Sequence, residues 1–421
     1  MVFFPIITIV IITGLTRYLT KSWLAPGTFF ALCWSFFLIV PLIFAPEYKT
    51  SLLGVWYVVI FVMSFTSGSI VAFNPLTYHL NQKNELPFYF NYKLLFKILF
   101  TFSLISALGL YMLLNYASSI YTSENYVNSY LTIPNLISID RYRGTLEYPL
   151  IIKYSLYFIY PSNLVGGLIF GLYRIPKLYK ILSIIPLIEA ILLGIIEGAR
   201  TSILLGLIVF FSSYLSVTRY NNKSLTNKIS YLKIIMSSGT FIILFTIFFI
   251  LIQWLRQGMD GIIVDLLVDR IRSYFFGYLS AFTQWVSSSS VEQSFNLGLI
   301  TFAGPFNLIG ILDRPLGFYS AINISNGVST NIFTAFRGII TDFSITGSIL
   351  IAFIIGFITQ LIYQKDNNKT LLGTLPISMF YAFTLYSPLI SIFHYNSILF
   401  SWLMLFIILF IVKNEPLDNY C

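Results

Sequence analysis

The chain has 421 residues, of which 57% are hydrophobic, 18% aromatic and only 10% charged, with a net charge of +9 and a mean hydropathy of +0.82. Soluble globular proteins carry about 25% charged residues, so the composition excludes a water-soluble fold and predicts an all-α polytopic membrane protein. Two cysteines (Cys33, Cys421) give neither a disulfide framework nor a zinc spacing, and two histidines (His79, His394) leave little for a metal cluster. The excess positive charge forms no basic block and sits in short loops between apolar runs, so nucleic acid is not an expected partner.

Met1 to Leu15 is apolar and its first charge, Arg17, follows the apolar stretch. That order reverses a secretory signal peptide and predicts a first span. Apolar runs near the ~20 residues a bilayer requires place spans at 2–16, 27–45, 51–73, 94–115, 150–173, 181–196, 201–217, 234–253, 338–362, 372–387 and 397–412. About eleven or twelve transmembrane helices are therefore expected in a single membrane domain. Two long segments, 116–149 and 254–337, do not read as spans.

The loops after odd-numbered spans, with the C-terminus, hold 15 basic residues against four acids, which predicts that they are cytoplasmic. The opposite face holds 10 basic and 11 acidic residues, mostly in the two long loops. Twelve of the 14 lysines fall on the cytoplasmic side, whereas eight of the 11 arginines fall outside: Arg141, Arg143, Arg200, Arg256, Arg270, Arg272, Arg314 and Arg337. Topology requires only positive charge. Arginine adds a planar fork that binds phosphate or carboxylate through two bonds and stays charged when poorly hydrated. An Arg-rich outer face suggests an anionic ligand; the competing reading is that these arginines pair with the external acids.

In the first long loop, Asp140-Arg141-Tyr142-Arg143-Gly144 offers either a phosphate and sugar contact or an interfacial anchor. The hairpin Glu197-Gly198-Ala199-Arg200-Thr201-Ser202 joins two spans; Thr201 or Ser202 is expected to cap the next helix, with Glu197 available to pair with Arg200. Glu189, two turns deeper, has no evident partner, and acids within a span are costly and tend to be functional. The second long loop begins with a helical pattern from Leu255 to Trp285, in which Asp265, Asp269 and Arg272 share a face, and continues through a Gly-, Pro- and Asn-rich part from Gly298 to Asn331 that reads as turns. A connector does not need 80 residues, so a cap over a membrane-level cavity is expected. Arg337 and Asp342 open the ninth span from outside. His394 lies in the last outer loop, where a general base of near-neutral pKa would fit as well as a structural imidazole.

No Walker loop, Asp-x-Asp pair, His-Glu-x-x-His or Gly-x-Ser-x-Gly elbow occurs in the sequence. What remains is an outward arginine-rich face suited to a phosphorylated, membrane-delivered substrate.

Asn331-Ile332-Phe333-Thr334-Ala335-Phe336-Arg337, running into Thr341-Asp342-Phe343-Ser344-Ile345-Thr346-Gly347, resembles the C-terminal signature of the O-antigen (oligosaccharide repeat unit) polymerases, the Wzy family. Gly198-Ala199-Arg200-Thr201-Ser202 resembles their Gly-Ser-Arg-Thr hairpin. Two positions depart: Ser344 stands where Gly is common, and Ala199 where Ser is common. Length, span number and two long outer loops agree as architecture. The resemblance implies a GT-C-like glycosyltransferase of the bacterial inner membrane, active at the periplasmic face. It would join oligosaccharide repeat units carried on undecaprenyl pyrophosphate by an inverting transfer that uses no cofactor and no metal. It implies that Arg143, Arg200, Arg256 and Arg337 bind pyrophosphate or glycan, with Arg141, Arg270, Arg272 and Arg314 as further candidates, and that Asp342 or His394 is the catalytic base. Tyr142, Trp254 and Trp285 are candidates for stacking on sugar rings. A chain-length regulator and a flippase would be partners alongside membrane lipid. An O-antigen ligase, and less readily a lipid-linked oligosaccharide flippase, are the alternatives.

Overall fold

The computed structural model describes residues 2–75, 91–123, 132–172, 175–219, 247–256, 264–288, 295–313, 318–365 and 373–412. In lipid every backbone N–H and C=O must be satisfied within its own segment, and the apolar runs accordingly form helices. Among the described residues, seven helices are long and apolar enough to cross a membrane. The chain divides into two units, Met1–Leu86 with Asp269–Leu399, and Pro87–Val268 with Phe400–Cys421.

The first unit is built on α1 (Phe3–Thr20), α2 (Pro26–Phe44) and α3 (Leu52–Ala72). Small hydroxyl residues tie α1 to α2, Thr13 to Ser35 at 2.8 Å and Thr20 to Thr28 at 2.7 Å. A long helix from the C-terminal third, Ala335–Lys365, packs along α3. Two glycines make that approach possible: Gly68 of α3 lies against the carbonyl of Phe353, and Gly356 lies against the carbonyl of Phe65. Tyr57 to Ser348 at 2.7 Å and Ser69 to Gln360 at 3.0 Å cross the same seam, the small-residue and polar pattern of helix pairs in membranes.

The second unit contains α4 (Tyr92–Ser123), α5 (Ile133–Arg143), α6 (Leu150–Tyr157), α7 (Ile159–Gly171), α8 (Lys177–Leu182), α9 (Ile185–Ile196), α10 (Arg200–Thr218) and α11 (Ile247–Arg256). The span expected at 150–173 is two helices that meet at Phe158, and that expected at 181–196 begins earlier, at Lys177. The segment expected as a loop at 116–149 opens as a continuation of α4 and holds α5; most of the span expected at 234–253 lies outside the described residues. α5 stops at Gly144, whose φ of 72° provides the left-handed cap favoured by glycine.

The second long segment is folded. Its amphipathic helix is α12 (Val264–Ser287), followed by the short α13 (Ala303–Leu308) and by a hairpin of β1 (Ile322–Ser325) and β2 (Val328–Thr330) that turns at Asn326-Gly327. A small core of Ala45, Tyr48, Ala281, Tyr319, Ile324 and Phe333 holds it to the first unit. Lys49 fixes the junction through its backbone: its N–H donates to Ile324 O at 2.9 Å, and its carbonyl accepts from Ser280 Oγ at 2.5 Å and Gln284 Nε2 at 3.1 Å. The Gly298–Asn331 stretch is therefore not turns alone. Asn-Gly between alternating apolar residues is a strong hairpin signal, present in the sequence and outweighed there by the surrounding Gly and Pro.

α14 (Ala335–Lys365) is followed by α15 (Thr374–Tyr386), a 3-10 turn Ile392–His394, and α16 (Asn396–Ile411). α14 is broken at Ser344, where φ is 64° and ψ 172°. This region of conformational space is essentially glycine-only and costs any other residue about 1–3 kcal/mol. Ser344 recovers part of that cost by accepting the Gly347 N–H at 3.3 Å as a cap for the continuing helix. Ser344→Gly relieves the strain at the expense of a few tenths of a kcal/mol of capping, so the variant is expected to be more stable by about 1 kcal/mol. Ser344→Ala keeps the Cβ and loses the cap, so it should be less stable than wild type. The order Gly, Ser, Ala in thermal midpoint of the detergent-purified protein is the check; any other order refutes the strain account.

Candidate functional site

In the first unit, Phe336 fixes the start of α14. Its ring is fully buried and stacks on Trp34 at 4.3 Å and on Phe61 at 4.1 Å, with Phe282 of α12 at 6.0 Å. The neighbouring Arg337 is thereby placed among the aromatics of the folded segment. Its guanidinium carbon lies 4.0 Å from the Phe333 ring, 4.1 Å from Tyr319 and 5.0 Å from Trp285. Among the described residues no carboxylate lies within ion-pair distance of Arg337. A guanidinium tolerates such surroundings because it is weakly hydrated and its flat face matches an aromatic face. Its edge N–H donors remain for a ligand.

Asp342, one turn and a half along α14, does not pair with Arg337. It is fully buried, and its Oδ1 and Oδ2 accept the backbone N–H groups of Ile300 at 2.9 Å and Thr301 at 2.6 Å. Charge-assisted bonds of this kind are about twice as strong as neutral ones, and they pin the 295–302 turn onto α14. That turn contains Leu297 at φ 50° and Gly298 at φ 94°. His394 is also buried, with its ring perpendicular to Phe318 at 5.1 Å; Phe318 in turn contacts Tyr319 at 5.0 Å. His394 and Arg337 thus belong to one unit and are linked by two rings.

Arg272 is a structural cation. It donates to Phe44 O at 2.7 Å, pairs with Glu47 at 2.7 Å and lies over Tyr48 at 6.0 Å, so it caps the C-terminal end of α2. Arg270 is exposed on α12. Arg314 lies outside the described residues.

The second unit gathers the other arginines. Arg141 pairs with Glu197 at 2.7 Å, so the pairing of Glu197 with Arg200 expected from adjacency is corrected. Sequence neighbours point apart here because Gly198, at φ 59°, turns the chain between α9 and α10. Burial opposes the charge on Arg141, but Glu197 outweighs it and raises the guanidinium pKa above its ordinary value. Burial, and then the Glu197 charge, also raise the pKa of Tyr148 in the same cluster. Asp140 accepts from Tyr121 Oη at 2.7 Å, while Arg143 is exposed. The expected cap is corrected too: Ala199 occupies the N-cap of α10 without a side-chain bond, and Thr201 and Ser202 lie inside the helix. The Arg200 guanidinium lies 4.7 Å from the Phe249 ring, and that of Arg256 lies 4.9 Å from Tyr142.

Of the three aromatics expected to face a sugar, Trp285 and Tyr142 thus each carry a guanidinium, and Trp254 sits within α11. Glu189 has a partner that sequence separation hid: Ser106 of α4 donates to its Oε2 at 2.5 Å. A buried acid held by a hydroxyl needs no role in the chemistry. Among the described residues no group of three or more His, Cys, Asp or Glu has the geometry to hold a metal. Sequence reasoning did not find Tyr319 or Thr301, which have no local signature and come to Arg337 and Asp342 respectively only through the fold.

Among the described residues, helices of spanning length define a helical membrane protein, and an aromatic cluster around Arg337 is folded into its first unit. No protein-family model, curated protein or solved structure matches the chain.

Proposed function

We propose that the chain is an O-antigen or related surface-polysaccharide polymerase of the bacterial inner membrane. It would transfer the growing glycan from undecaprenyl pyrophosphate to an incoming lipid-linked repeat unit at the periplasmic face, by inverting transfer without a metal. The observation that carries the reading is Arg337: it opens the helix whose sequence resembles the polymerase signature, and its guanidinium is held by three rings with no carboxylate on it among the described residues.

In such a transfer the leaving group is a pyrophosphate, whose charge grows as the glycosidic bond breaks. A fixed cation in poorly hydrated surroundings stabilises that charge with little reorganisation. Arg337 fills this role, and its ring supports hold the fork in place between turnovers. Arg143, Arg200 and Arg256 of the second unit are the candidates for holding glycan or lipid phosphate; Arg141 and Arg272 are occupied by Glu197 and Glu47 and serve the fold. Of the two candidate bases, Asp342 is committed to two backbone N–H groups. His394, two rings from Arg337, is the remaining group for the proton of the acceptor hydroxyl. A flippase and a chain-length regulator would work beside such an enzyme.

A deletion strain examined by gel electrophoresis of its surface polysaccharide tests the reading. Loss of the long ladder with a single repeat unit left on the core supports polymerase. Bare core with polymer accumulating on the lipid carrier means ligase. Single units accumulating on the cytoplasmic leaflet means transport, and then the roles given to Arg337 and His394 fall.

A further inference from the structure

The residue after Arg337 is a glycine with two hydroxyls near it. Gly338 has no side chain, and a Cβ built on it would lie 3.5 Å from Tyr319 Oη, 3.5 Å from Ile300 Cγ2 and 3.7 Å from Thr301 Oγ1. Two hydroxyls therefore border the position of the missing side chain, one of them on the Tyr319 ring that carries the Arg337 guanidinium. Thr301 is buried, and its Oγ1 has no hydrogen-bond partner. Tyr319 is 9% exposed, and its hydroxyl makes no hydrogen bond among the described residues. A buried hydroxyl left unpaired costs roughly 1–3 kcal/mol, and Thr301 Oγ1 is such a group beside the residue that follows Arg337. The positions are held firmly: the Tyr319 ring stacks under Arg337 and contacts Phe333 at 5.3 Å, and the Thr301 backbone is pinned by Asp342.

We propose that Tyr319 Oη and Thr301 Oγ1 are hydrogen-bond donors to the same anion that Arg337 binds, and that the pocket over Gly338 accepts one phosphate group of a diphosphate ester. The proposal rests on the reading that Arg337 faces an anion. It gives Tyr319 two tasks, a ring that supports the guanidinium and a hydroxyl that completes the donor set. Burial raises the Tyr319 pKa, Arg337 opposing and Asp342 adding to the effect, so the hydroxyl stays protonated and able to donate. Asp342 becomes a positioning residue, acting on the anion through Thr301.

The test measures binding of inorganic pyrophosphate by calorimetry to the full chain in nanodiscs, and binding of polyprenyl pyrophosphate carried in the same discs. Tyr319→Phe keeps the ring and removes only the hydroxyl, and is expected to weaken binding of at least one of the two roughly tenfold or more. Gly338→Ala adds a methyl at ordinary contact distances, so the thermal midpoint should hold while binding is lost. Which diphosphate responds tells whether the pocket serves a lipid-borne or a free group. Wild-type protein that binds neither, or binding indifferent to both substitutions, overturns the proposal. Indifference to both substitutions in a protein whose deletion removes the polysaccharide ladder overturns the pocket and leaves the polymerase reading standing. Weakened binding in Tyr319→Phe supports the pocket even where deletion leaves the ladder intact, in which case the polymerase reading fails.

Discussion

Arg337→Ala is expected, on the proposed polymerase reading, to abolish the long polysaccharide ladder while the protein remains inserted at near wild-type level. Removing one preorganised donor from a developing anion typically lowers a rate by about 10²–10³, and polymer length magnifies such a loss because each extension repeats the step. The fold should survive. Phe336, not Arg337, anchors the start of α14 through Trp34 and Phe61, and three partly exposed cation–aromatic contacts contribute about 0.5–1 kcal/mol each. Arg337→Lys separates charge from shape. Lysine keeps the positive charge but cannot lie flat on Phe333, Tyr319 and Trp285 or offer paired donors, so the ladder should shorten without vanishing. Quantitative gels, with immunoblotting of the membrane fraction, are the measurement. A full ladder in Arg337→Ala would remove Arg337 from the site.

Gly356→Ala and Gly68→Ala are expected to be among the most damaging single-methyl changes to the fold. At each position the new Cβ would fall on a backbone carbonyl of the facing helix, Phe65 O or Phe353 O. A flexible side chain could swing aside, but a carbonyl in a helix moves only with its helix. Each change therefore forces α3 and α14 apart and strains the Tyr57–Ser348 and Ser69–Gln360 hydrogen bonds that cross the seam. The cost should lie at or above the roughly 1–3 kcal/mol usual for overpacking. Because the two glycines face one seam, the double substitution should cost less than the sum of the singles: separation caused by the first makes room for the second. Thermal unfolding in detergent checks both statements. Additive losses would show that the two contacts yield independently.

The Ser344 kink bears on the family resemblance. The pattern that the 331–347 segment resembles carries glycine at this position, and the backbone found here, φ 64° and ψ 172°, is one that glycine adopts without strain. The departure at Ser344 therefore changes the residue and keeps the bend. Ala199 is the other departure. It stands at the N-cap of α10, where a serine would supply the side-chain bond that alanine lacks.

Much of the architecture was legible beforehand. Apolar runs located α1, α2, α3, α10, α14 and α16 to within a few residues, because a helix in lipid must be long and apolar whatever it packs against. Helix ends and breaks were less legible: the break at Phe158 and the continuation of α4 to Ser123 depend on neighbours that hydropathy does not encode. The arginines were found by composition, but the groups that occupy them were not. Arg141 meets Glu197, 56 positions away, and Arg272 meets Glu47 from the far end of the chain. Adjacency suggested Glu197 with Arg200, and the turn at Gly198 decided otherwise.

The sequence by itself determined that the chain is a helical membrane protein with arginine concentrated in its non-spanning segments, because burial in hydrocarbon and charge placement are local properties of composition. Only the tertiary structure decided which of these arginines meets a carboxylate and which meets aromatic rings. Arg272 and Arg337 are the same residue type in one folded segment, yet one is spent on Glu47 and Phe44 O while the other lies on the rings of Phe333, Tyr319 and Trp285. That difference arises from contacts between residues distant in sequence, and the energy of a charge is set by what surrounds it in space.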